Sequence, residues 1–306
     1  MTSIDIQNLT KEFGHRRAVD RLTFRVLPGR VTGFLGPNGA GKSTTMRLAL
    51  GLDRPTSGSA TIGGRPYATL TDPLRRVGAL LDAGAAHGSR TGRDHLRALA
   101  ASNRIPVRRV DEMLAETGLT TVARRRVKTY SLGMRQRLGI AAALLGDPEA
   151  VLLDEPSNGL DPEGIIWIRG LLRRLAAQGR TVLVSSHLMT ETASFADHLV
   201  VLGRGRLLAD TPVRDFIHAR VQPRVRIRTS DTDALRKVLA AHGHDAAEHE
   251  DGRWSVEHAH VADIGRLLSA AGVPILELAA EEGTLEQAYL DLTASEAEFT
   301  APSKEA

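Results

Sequence analysis

A glycine-rich segment suited to holding phosphate lies near the start of the chain. Residues 36–44 read GPNGAGKST and satisfy the pattern G-x-x-x-x-G-K-[ST] of phosphate-binding loops. Glycines let the backbone curl so that successive N–H groups and the N-terminus of the following helix face an anion. A glycine-rich turn that only caps a helix is the alternative, but the flanking apolar strand and helix favour nucleotide binding. The loop residues expected to bind the nucleotide are Gly36, Pro37, Asn38, Gly39, Ala40, Gly41, Lys42, Ser43 and Thr44.

Two side chains of this loop have a more specific predicted role. Lys42 is expected to reach the β- and γ-phosphates, because its ammonium is a compact point charge where the broad fork of arginine would fit poorly. The Ser43 hydroxyl is expected to bind Mg²⁺. The loop therefore predicts a nucleoside triphosphate and its magnesium ion as ligands.

A pair of adjacent carboxylates follows an apolar segment near the middle of the chain. Residues 151–156 read VLLDEP, a strand that ends in Asp154 and Glu155. Asp154 is placed to hold Mg²⁺ directly or through water, while Glu155 can accept a proton from an attacking water. His187 ends another apolar strand, TVLVSSH, and active sites of parallel α/β sheets gather at the carboxyl ends of strands. We therefore expect His187 to hydrogen-bond the γ-phosphate or to orient the water.

The elements that must position these residues alternate between strands and helices. Residues 4–9 and 22–27 have the alternating pattern of antiparallel strands, whereas VTGFLG, AVLLDEP and TVLVSSH predict buried strands. Strands alternating with helices indicate a parallel sheet covered on both faces. The arginine-rich, largely helical residues 85–130 lie between two core strands. The predicted fold over residues 1–220 is an α/β phosphate-loop core with an antiparallel β subdomain and a helical insertion.

A change of pattern near Val221 predicts a second domain over residues 221–306. Its segments follow the order βαββαβ of a ferredoxin-like unit, and a further helix and a polar tail come after them. Five histidines occur here on different elements without the spacing of a metal site, so we expect them to be surface residues. The predicted role is that of a small α/β accessory domain that stabilises a dimer or regulates hydrolysis.

Composition limits the class of protein. The sequence has 306 residues, no cysteine and a formal net charge of +4, which leaves no disulfide or thiolate chemistry. No apolar run approaches the ~18 residues that cross a bilayer, and the first residues show no charged-then-apolar export signal. These features predict a protein that stays in the cytoplasm.

Taken in order, these motifs resemble those of the ATP-binding-cassette (ABC) transporter ATPases. Residues 130–141, YSLGMRQRLGIA, are similar to the family's signature motif, usually LSGGQ, and NGLD at 158–161 resembles its D-loop. His187 takes the position of the switch histidine, and Phe13 that of the aromatic residue that stacks on adenine. The resemblance covers about residues 4–212 and implies ATP and Mg²⁺ as cofactors, with Glu155 and His187 as catalytic residues.

The resemblance also implies how two copies assemble. It implies a head-to-tail dimer in which each ATP lies between one subunit's phosphate loop and Ser131, Gly133 and Gln136 of the other. Ser131 offers a hydroxyl, Gly133 permits close backbone approach, and the helix that starts there directs its positive end at the γ-phosphate. Without the other motifs, a serine at a helix start would indicate only an N-cap. Asp161 is the D-loop residue of this implied site.

One residue departs from the family pattern. After the strand VGALL the family usually has glutamine, whereas this chain has Asp82. A carboxylate there could still contact Mg²⁺ or its water, but it adds negative charge near Asp154 and Glu155. An acidic residue at this point, with TGRDHLRAL and the terminal TLEQAYLDLT, resembles the branch that exports drugs, antibiotics or bacteriocins. We therefore expect Asp82 to take over the coupling role of that glutamine.

Three functions are open on the sequence alone. The first is the ATPase subunit of an exporter, held at the inner face of the cell membrane by a separate permease that contacts the helical insertion. The second is a soluble ABC-type ATPase acting on DNA or ribosomes through a basic cluster, but a single cassette without coiled-coil arms or an aromatic stacking surface argues against nucleic acid. The third is an inactive regulatory cassette, which the intact hydrolysis residues argue against. The basic cluster comprises Arg104, Arg108, Arg109, Arg124, Arg125, Arg126 and Lys128.

Overall fold

The computed structural model describes residues 2–222, 224–249, 251–281 and 283–298. The chain forms two compact units, Met1–Val213 and Arg214–Ala306, because residues make most of their contacts within their own unit. The domain boundary expected between residues 220 and 221 stays a prediction, and the expected polar tail lies outside the described residues from residue 299 on. Within the described ranges, no helix is both long enough and apolar enough to span a lipid bilayer.

Over its described residues, the first unit has nine strands in two sheets, with helices between them. Its strands are β1 (Ile4–Phe13), β2 (Arg16–Val26), β3 (Val31–Leu35), β4 (Ser57–Ile62), β5 (Val77–Leu80), β6 (Ala150–Asp154), β7 (Thr181–Ser186), β8 (His198–Gly203) and β9 (Arg206–Pro212). Its helices are α1 (Lys42–Ala49), α2 (Pro73–Arg76), α3 (Gly92–Ser102), α4 (Arg108–Glu116), α5 (Leu132–Leu144), α6 (Pro162–Ala177) and α7 (Met189–Phe195), and α8 (Val213–His218) follows at the unit boundary.

The larger sheet has the strand order β5-β6-β7-β3-β8-β9. Only β8 and β9 pair antiparallel, and the other neighbours are parallel. Every residue of β3, β7 and β8 is buried, as expected for strands that other elements cover on both faces. Because β6, β7 and β3 are adjacent and parallel, their carboxyl ends meet at one edge of the sheet. The predicted α/β core is therefore confirmed, and the loop after β3 lies near the residues that end β6 and β7.

The smaller sheet is antiparallel, with the order β2-β1-β4. Its register pairs Ile4 with Val26 and Phe13 with Arg16, so β1 and β2 form a hairpin longer than the strands predicted at 4–9 and 22–27. The apolar alternation stops near Lys11, and the sequence pattern therefore missed the polar half of the hairpin. Gly14, with φ of +57°, makes the turn and places Phe13 at the hairpin tip.

The helical insertion is partly irregular. Helices α3 and α4 account for most of the helical residues predicted at 85–130, and two short 3₁₀ turns complete the segment. Leu96 of α3, Leu114 of α4 and Leu138 of α5 are buried in one apolar cluster. Burial of these side chains holds the insertion against α5, the helix that begins in the signature-like segment.

The second unit has the predicted element order βαββαβ followed by a helix. Its sheet is antiparallel throughout, with the order β11-β12-β10-β13. Its core includes Ile227, Trp254, Leu235 and Ile264. The last strand starts later than the predicted PILELA, and assignment to the ferredoxin-like class stays a prediction. The elements are β10 (Arg224–Arg228), α9 (Thr232–Ala241), β11 (Ala246–Glu248), β12 (Trp254–Glu257), α10 (Val261–Ala270), β13 (Glu277–Glu281) and α11 (Leu285–Glu298).

Candidate functional site

A cavity of about 430 Å³ opens beside the start of helix α1. The phosphate-binding loop contributes most of its lining, and the acidic residues at the end of β6 also reach it. The fold thus brings together motifs that are more than a hundred residues apart in the sequence. The lining residues are Phe13, Arg16, Ala18, Pro37, Asn38, Gly39, Ala40, Gly41, Lys42, Ser43, Thr44, Asp154 and Glu155.

Two glycines of the loop occupy positions that suit no other residue type. The φ angles of Gly36 and Gly41 are +153° and +104°, which L side chains rarely adopt. A Cβ on Gly36 would lie 2.5 Å from the Leu202 carbonyl oxygen, and a Cβ on Gly41 would lie 2.6 Å from the Ala18 carbonyl oxygen. The loop therefore packs directly on the backbone of β8 and β2, and its curvature depends on glycine at both positions.

Helix α1 presents its N-terminus to the cavity without a competing anion. It begins at Lys42, the preceding Gly41 supplies no capping side chain, and the first turn contains no acidic residue. The first N–H groups of a helix lack partners within the helix and carry a partial positive charge. This end of α1 therefore favours a phosphate group.

Lys42 is buried between the loop and the two acidic residues. The residue is 7% exposed, and its ammonium donates to the Gly36 carbonyl oxygen at 2.6 Å. Burial lowers the pKa of Lys42, and the nearby carboxylates of Glu155 and Asp154 partly oppose that shift. An anionic ligand in the cavity would compensate the ammonium for its lost hydration.

Asp154 and Glu155 lie at the end of β6, beside the end of β7. The Ser185 hydroxyl donates to the Asp154 carboxylate, and the Glu155 N–H donates to the Ser185 Oγ at 3.0 Å. The Glu155 Oε2 lies 2.8 Å from Nδ1 of His187, which reaches the site through this carboxylate. The structure thus brings Asp154, Glu155 and His187 together, and it adds Ser185, which sequence reasoning missed although it belongs to the same TVLVSSH segment.

The oxygen atoms beside the loop suit a hard divalent cation. Ser43 and Asp154 both line the cavity, one with a hydroxyl and the other with a carboxylate. Mg²⁺ takes oxygen ligands and is usually bound through one or two protein groups together with phosphate and water. The residues present therefore fit a magnesium ion bound with a nucleotide.

Phe13 contributes an exposed aromatic ring to the cavity. The residue is 52% exposed, and the Lys11 ammonium lies 4.8 Å from its ring centroid. An exposed ring of this kind can stack on a nucleobase. Arg16, three residues further along the hairpin, also lines the cavity and was not predicted, because β2 starts earlier than its apolar pattern indicates.

The signature-like residues lie at the start of α5 and are not among the lining residues of the cavity in the described part of the chain. Ser131 is exposed and is the N-cap of α5, where its Oγ accepts from the Met134 N–H at 3.2 Å. A Cβ on Gly133 would lie 2.6 Å from the Gly159 carbonyl oxygen, so α5 packs closely on the NGLD loop of its own chain. Asp161 is the N-cap of α6 and accepts from the Gly164 N–H at 2.9 Å.

Gln136 is buried within its own chain, a position that does not support the predicted contact with the ATP of a second copy, and that contact stays a prediction. The residue is 3% exposed, and its Nε2 donates to the main-chain carbonyl oxygen of Glu155 at 2.9 Å. Helical geometry explains the difference. Gln136 follows Ser131 by five positions and therefore points about 140° away from it around the axis of α5.

Asp82 does not reach the cavity. Its side chain is exposed, and its Oδ1 accepts from the Gly84 N–H at 2.7 Å. It does not form a metal-binding group with Asp154 and Glu155, since the described residues contain no cluster of three or more His, Cys, Asp or Glu that could hold a metal ion. The expected contact of Asp82 with Mg²⁺ is therefore not supported by its position, and its coupling role stays a prediction.

Comparison with known proteins identifies the family of the chain. Residues 19–158 match the family model of the ABC transporter, and residues 223–286 match a domain of unknown function. The bacitracin transport ATP-binding protein BcrA of Bacillus licheniformis is 36% identical over 299 residues, which cover 95% of this chain and 97% of the relative. The daunorubicin resistance ATP-binding protein DrrA3 of Streptomyces coeruleorubidus is 31% identical and covers 95% of this chain and 96% of its own length. The lantibiotic transport ATP-binding protein SrtF of Streptococcus pyogenes is 34% identical over 68% of this chain and 90% of the relative.

Solved structures of similar fold cover about 70% of this chain. An ATP-binding subunit of an ABC transporter matches with a TM-score of 0.65 and 26% identity, over 71% of this chain and 92% of the other. The dimeric post-hydrolysis state of the ATP-binding cassette MJ0796, bound to ADP and Pi, matches with a TM-score of 0.63 and 25% identity, over 69% of this chain and 99% of the other. Because sequence similarity also extends along almost the whole of BcrA, this chain belongs to the ABC transporter family as an ATP-binding and ATP-hydrolysing protein.

Proposed function

We propose that this chain is the ATPase subunit of an exporter that expels an antibiotic, a bacteriocin or a similar drug through a permease on another chain. The observation that carries the proposal is that Lys42, Asp154 and Glu155 line one cavity with the glycine-rich loop. The printed names of the relatives, which refer to bacitracin, lantibiotic and daunorubicin, support this class of cargo.

In this proposal the cavity binds the phosphates of ATP on residues 36–44 and the adenine on Phe13. The open N-terminus of α1 and the buried ammonium of Lys42 supply the positive charge that holds the β- and γ-phosphates. Ser43 and Asp154 hold Mg²⁺, which neutralises charge on the phosphate oxygens.

Glu155 acts as the general base and accepts a proton from the attacking water. His187 orients the Glu155 carboxylate through the 2.8 Å contact between Nδ1 and Oε2. Ser185 supports both acidic residues, because its hydroxyl contacts the Asp154 carboxylate and the Glu155 N–H. The proton is therefore accepted at Oε1 or Oε2 of a carboxylate that its neighbours already hold in place.

Two copies of the chain pair head to tail, so that Ser131 and Gly133 of one complete the ATP site of the other. The dimeric structures of the cassette MJ0796 support the pairing of two copies. The exposure of Ser131 supports it too, since this residue lies outside the ATP cavity of its own chain. Its hydroxyl oxygen accepts from the Met134 N–H, which leaves the hydroxyl proton free to donate to a phosphate. Asp161 acts in the D-loop by fixing the start of α6.

The protein works at the inner face of the cell membrane, where the permease contacts the helical insertion at residues 85–130. Residues 1–220 form the ATP-binding domain, and residues 221–306 form an accessory domain that stabilises the dimer or regulates hydrolysis. Action on nucleic acid or ribosomes is not favoured, because the relatives are named as transport or drug-resistance proteins.

Measurement of Mg²⁺-dependent ATP hydrolysis by the purified protein tests the enzymatic part. We expect Lys42→Ala to lose both ATP affinity and turnover, and Glu155→Gln to bind ATP without hydrolysing it. Glu149→Gln is a matched control, because Glu149 is exposed, pairs with Arg76 and lies outside the cavity. Intact turnover in Lys42→Ala would contradict the proposal. Co-purification of a membrane permease from the native host tests the transport part.

A further inference from the structure

We infer that Gln136 is a positioning residue for Glu155, which it holds from helix α5, whose N-cap is Ser131. The inference rests on the proposed role of Glu155 as the general base. It replaces the sequence-based expectation that Gln136 faces the nucleotide of a partner.

Glu155 adopts a backbone conformation that its surroundings must maintain. Its φ is +49°, in the left-handed region that is unfavourable for residues with a Cβ. Such conformations persist at functional sites where neighbouring groups fix them. The direction of the Glu155 carboxylate therefore depends on the contacts that hold its two peptide groups.

Both peptide groups of Glu155 are held, and from different elements. On the amino side, the Glu155 N–H donates to two oxygens of Ser185 in β7, to Oγ at 3.0 Å and to the carbonyl oxygen at 3.3 Å. On the carboxyl side, the carbonyl oxygen accepts from Nε2 of Gln136 at 2.9 Å and from the Asn158 N–H at 3.2 Å. Among the described residues, Gln136 is the only side chain that donates to the Glu155 carbonyl oxygen, and Gln136 belongs to α5.

The position of Gln136 also relates the two ATP sites of the proposed dimer. Ser131, the N-cap of α5, completes the ATP site of the partner in the proposed dimer. Gln136, on the same helix, holds Glu155, which acts on the ATP of its own chain. α5 is packed closely at this end, because Gly133 and Gly159 leave no room for a side chain between them. A shift of α5 on contact with the partner's nucleotide would therefore move the Glu155 carbonyl as well.

Replacement of Gln136 by leucine removes the donor and keeps a buried side chain of similar size. We expect kcat for ATP hydrolysis to fall on the order of 10- to 100-fold, because small misplacement of a catalytic group has effects of this size. The KM for ATP should stay unchanged, since Gln136 does not line the cavity. Thr117→Val is the matched control. It also removes a buried hydrogen bond to a main-chain carbonyl, because the Thr117 hydroxyl donates to the Met113 carbonyl oxygen at 2.8 Å. Thr117 is far from Glu155 in the sequence.

The variant Gln136→Glu adds a readout that a purely structural role would not move. An ionised carboxylate at this place repels the Glu155 carbonyl oxygen, whereas a protonated one can donate to it. Burial raises the pKa of a carboxyl group, so the donor should return in the mildly acidic range. We expect the activity of Gln136→Glu, relative to wild type at the same pH, to rise as the pH is lowered. A ratio that stays low at every pH would overturn the inference, and this test replaces Gln136→Leu if that variant does not fold.

ATP-dependent dimerisation in the Glu155→Gln background separates the inference from the partner-contact alternative. If Gln136 positions Glu155, adding Gln136→Leu should leave dimerisation unchanged, whereas loss of the dimer would mean that Gln136 contacts the partner's ATP and would overturn the inference. Retained turnover in Glu155→Gln alone would remove the proposed role of Glu155 and the inference with it. An inactive Glu155→Gln beside a fully active Gln136→Leu would overturn the inference only.

Discussion

The Nδ1 atom of His187 lies 2.8 Å from Oε2 of Glu155, although 32 positions separate the two residues in the sequence. The contact follows from the larger sheet, in which β6 and β7 are parallel neighbours and Asp154 is in register with Ser185. Each residue is therefore placed by the strand that precedes it, and their contact is a consequence of the fold. This relationship makes His187 a candidate to orient Glu155, the proposed general base.

Replacement of His187 by alanine should lower kcat by about tenfold or more while leaving ATP affinity largely unchanged, because the imidazole touches the base and does not line the cavity. ATP hydrolysis and equilibrium ATP binding check this. His198→Ala is a matched control, since His198 also contacts a carboxylate, with Nε2 at 2.6 Å from Oδ1 of Asp210, but on β8 and outside the cavity. Equal activity of both variants would exclude an orienting role for His187.

The sequence was sufficient to predict the α/β core because its buried strands are short apolar segments followed by characteristic polar residues. It also pointed to Lys42, Asp154, Glu155 and His187, which the fold brings near one another, while their roles stay predictions. The sequence could not show which side chains of a helix face the interior, and Gln136 and Ser131 illustrate this. Both belong to one recognisable motif, but the helical turn between them places one inside the chain and the other at its surface.

Substitution of Gly41 by alanine should weaken ATP binding by about tenfold or more, since a Cβ would clash with the Ala18 carbonyl oxygen and φ is unfavourable for alanine. Equilibrium titration with ATP measures this. Gly170→Ala is the contrasting change, because the added Cβ meets nothing closer than 4.0 Å within helix α6. That variant should keep ATP affinity and gain roughly 0.5–1 kcal/mol in the free energy of unfolding from helix propensity. An ATP affinity of Gly41→Ala that equals that of Gly170→Ala and of the wild type would show that the loop tolerates a side chain at Gly41.

The buried Lys42 should reduce the stability of the nucleotide-free protein, so Lys42→Met is expected to raise its Tm by roughly 2–4 °C, the effect of about 1 kcal/mol in a unit of this size. Because burial lowers the pKa of Lys42 in the folded state, the unfolded chain binds more protons between the two pKa values. Wild-type stability should therefore rise with pH across that window, and the advantage of Lys42→Met should shrink. Thermal unfolding measured at increasing pH checks both trends. An advantage that grows with pH would contradict this account of Lys42.

A fragment that ends at residue 220 should still fold and bind ATP, because the cavity is built entirely from residues of the first unit, Met1–Val213. ATP titration and the Tm shift caused by saturating ATP measure this against the full chain. A fragment that folds but no longer binds ATP would mean that the second unit takes part in the ATP site or that the predicted boundary is wrong.

Mixing two inactive variants should restore ATP hydrolysis if the chain pairs head to tail. Lys42→Ala damages the phosphate loop and Ser131→Ala the surface that completes the partner's site, so each variant alone has two defective sites in its dimer. A mixed dimer contains one site with both defects and one intact site. With random pairing at equal concentrations, about half of the dimers are mixed, and about a quarter of wild-type activity should return if the sites act independently. Because Ser131→Ala also removes a helix N-cap, Asp231→Ala, which removes the N-cap of α9 in the second unit, controls for that loss. Mixtures that stay inactive, while gel filtration shows that dimers form with ATP, would place Ser131 outside the partner's site.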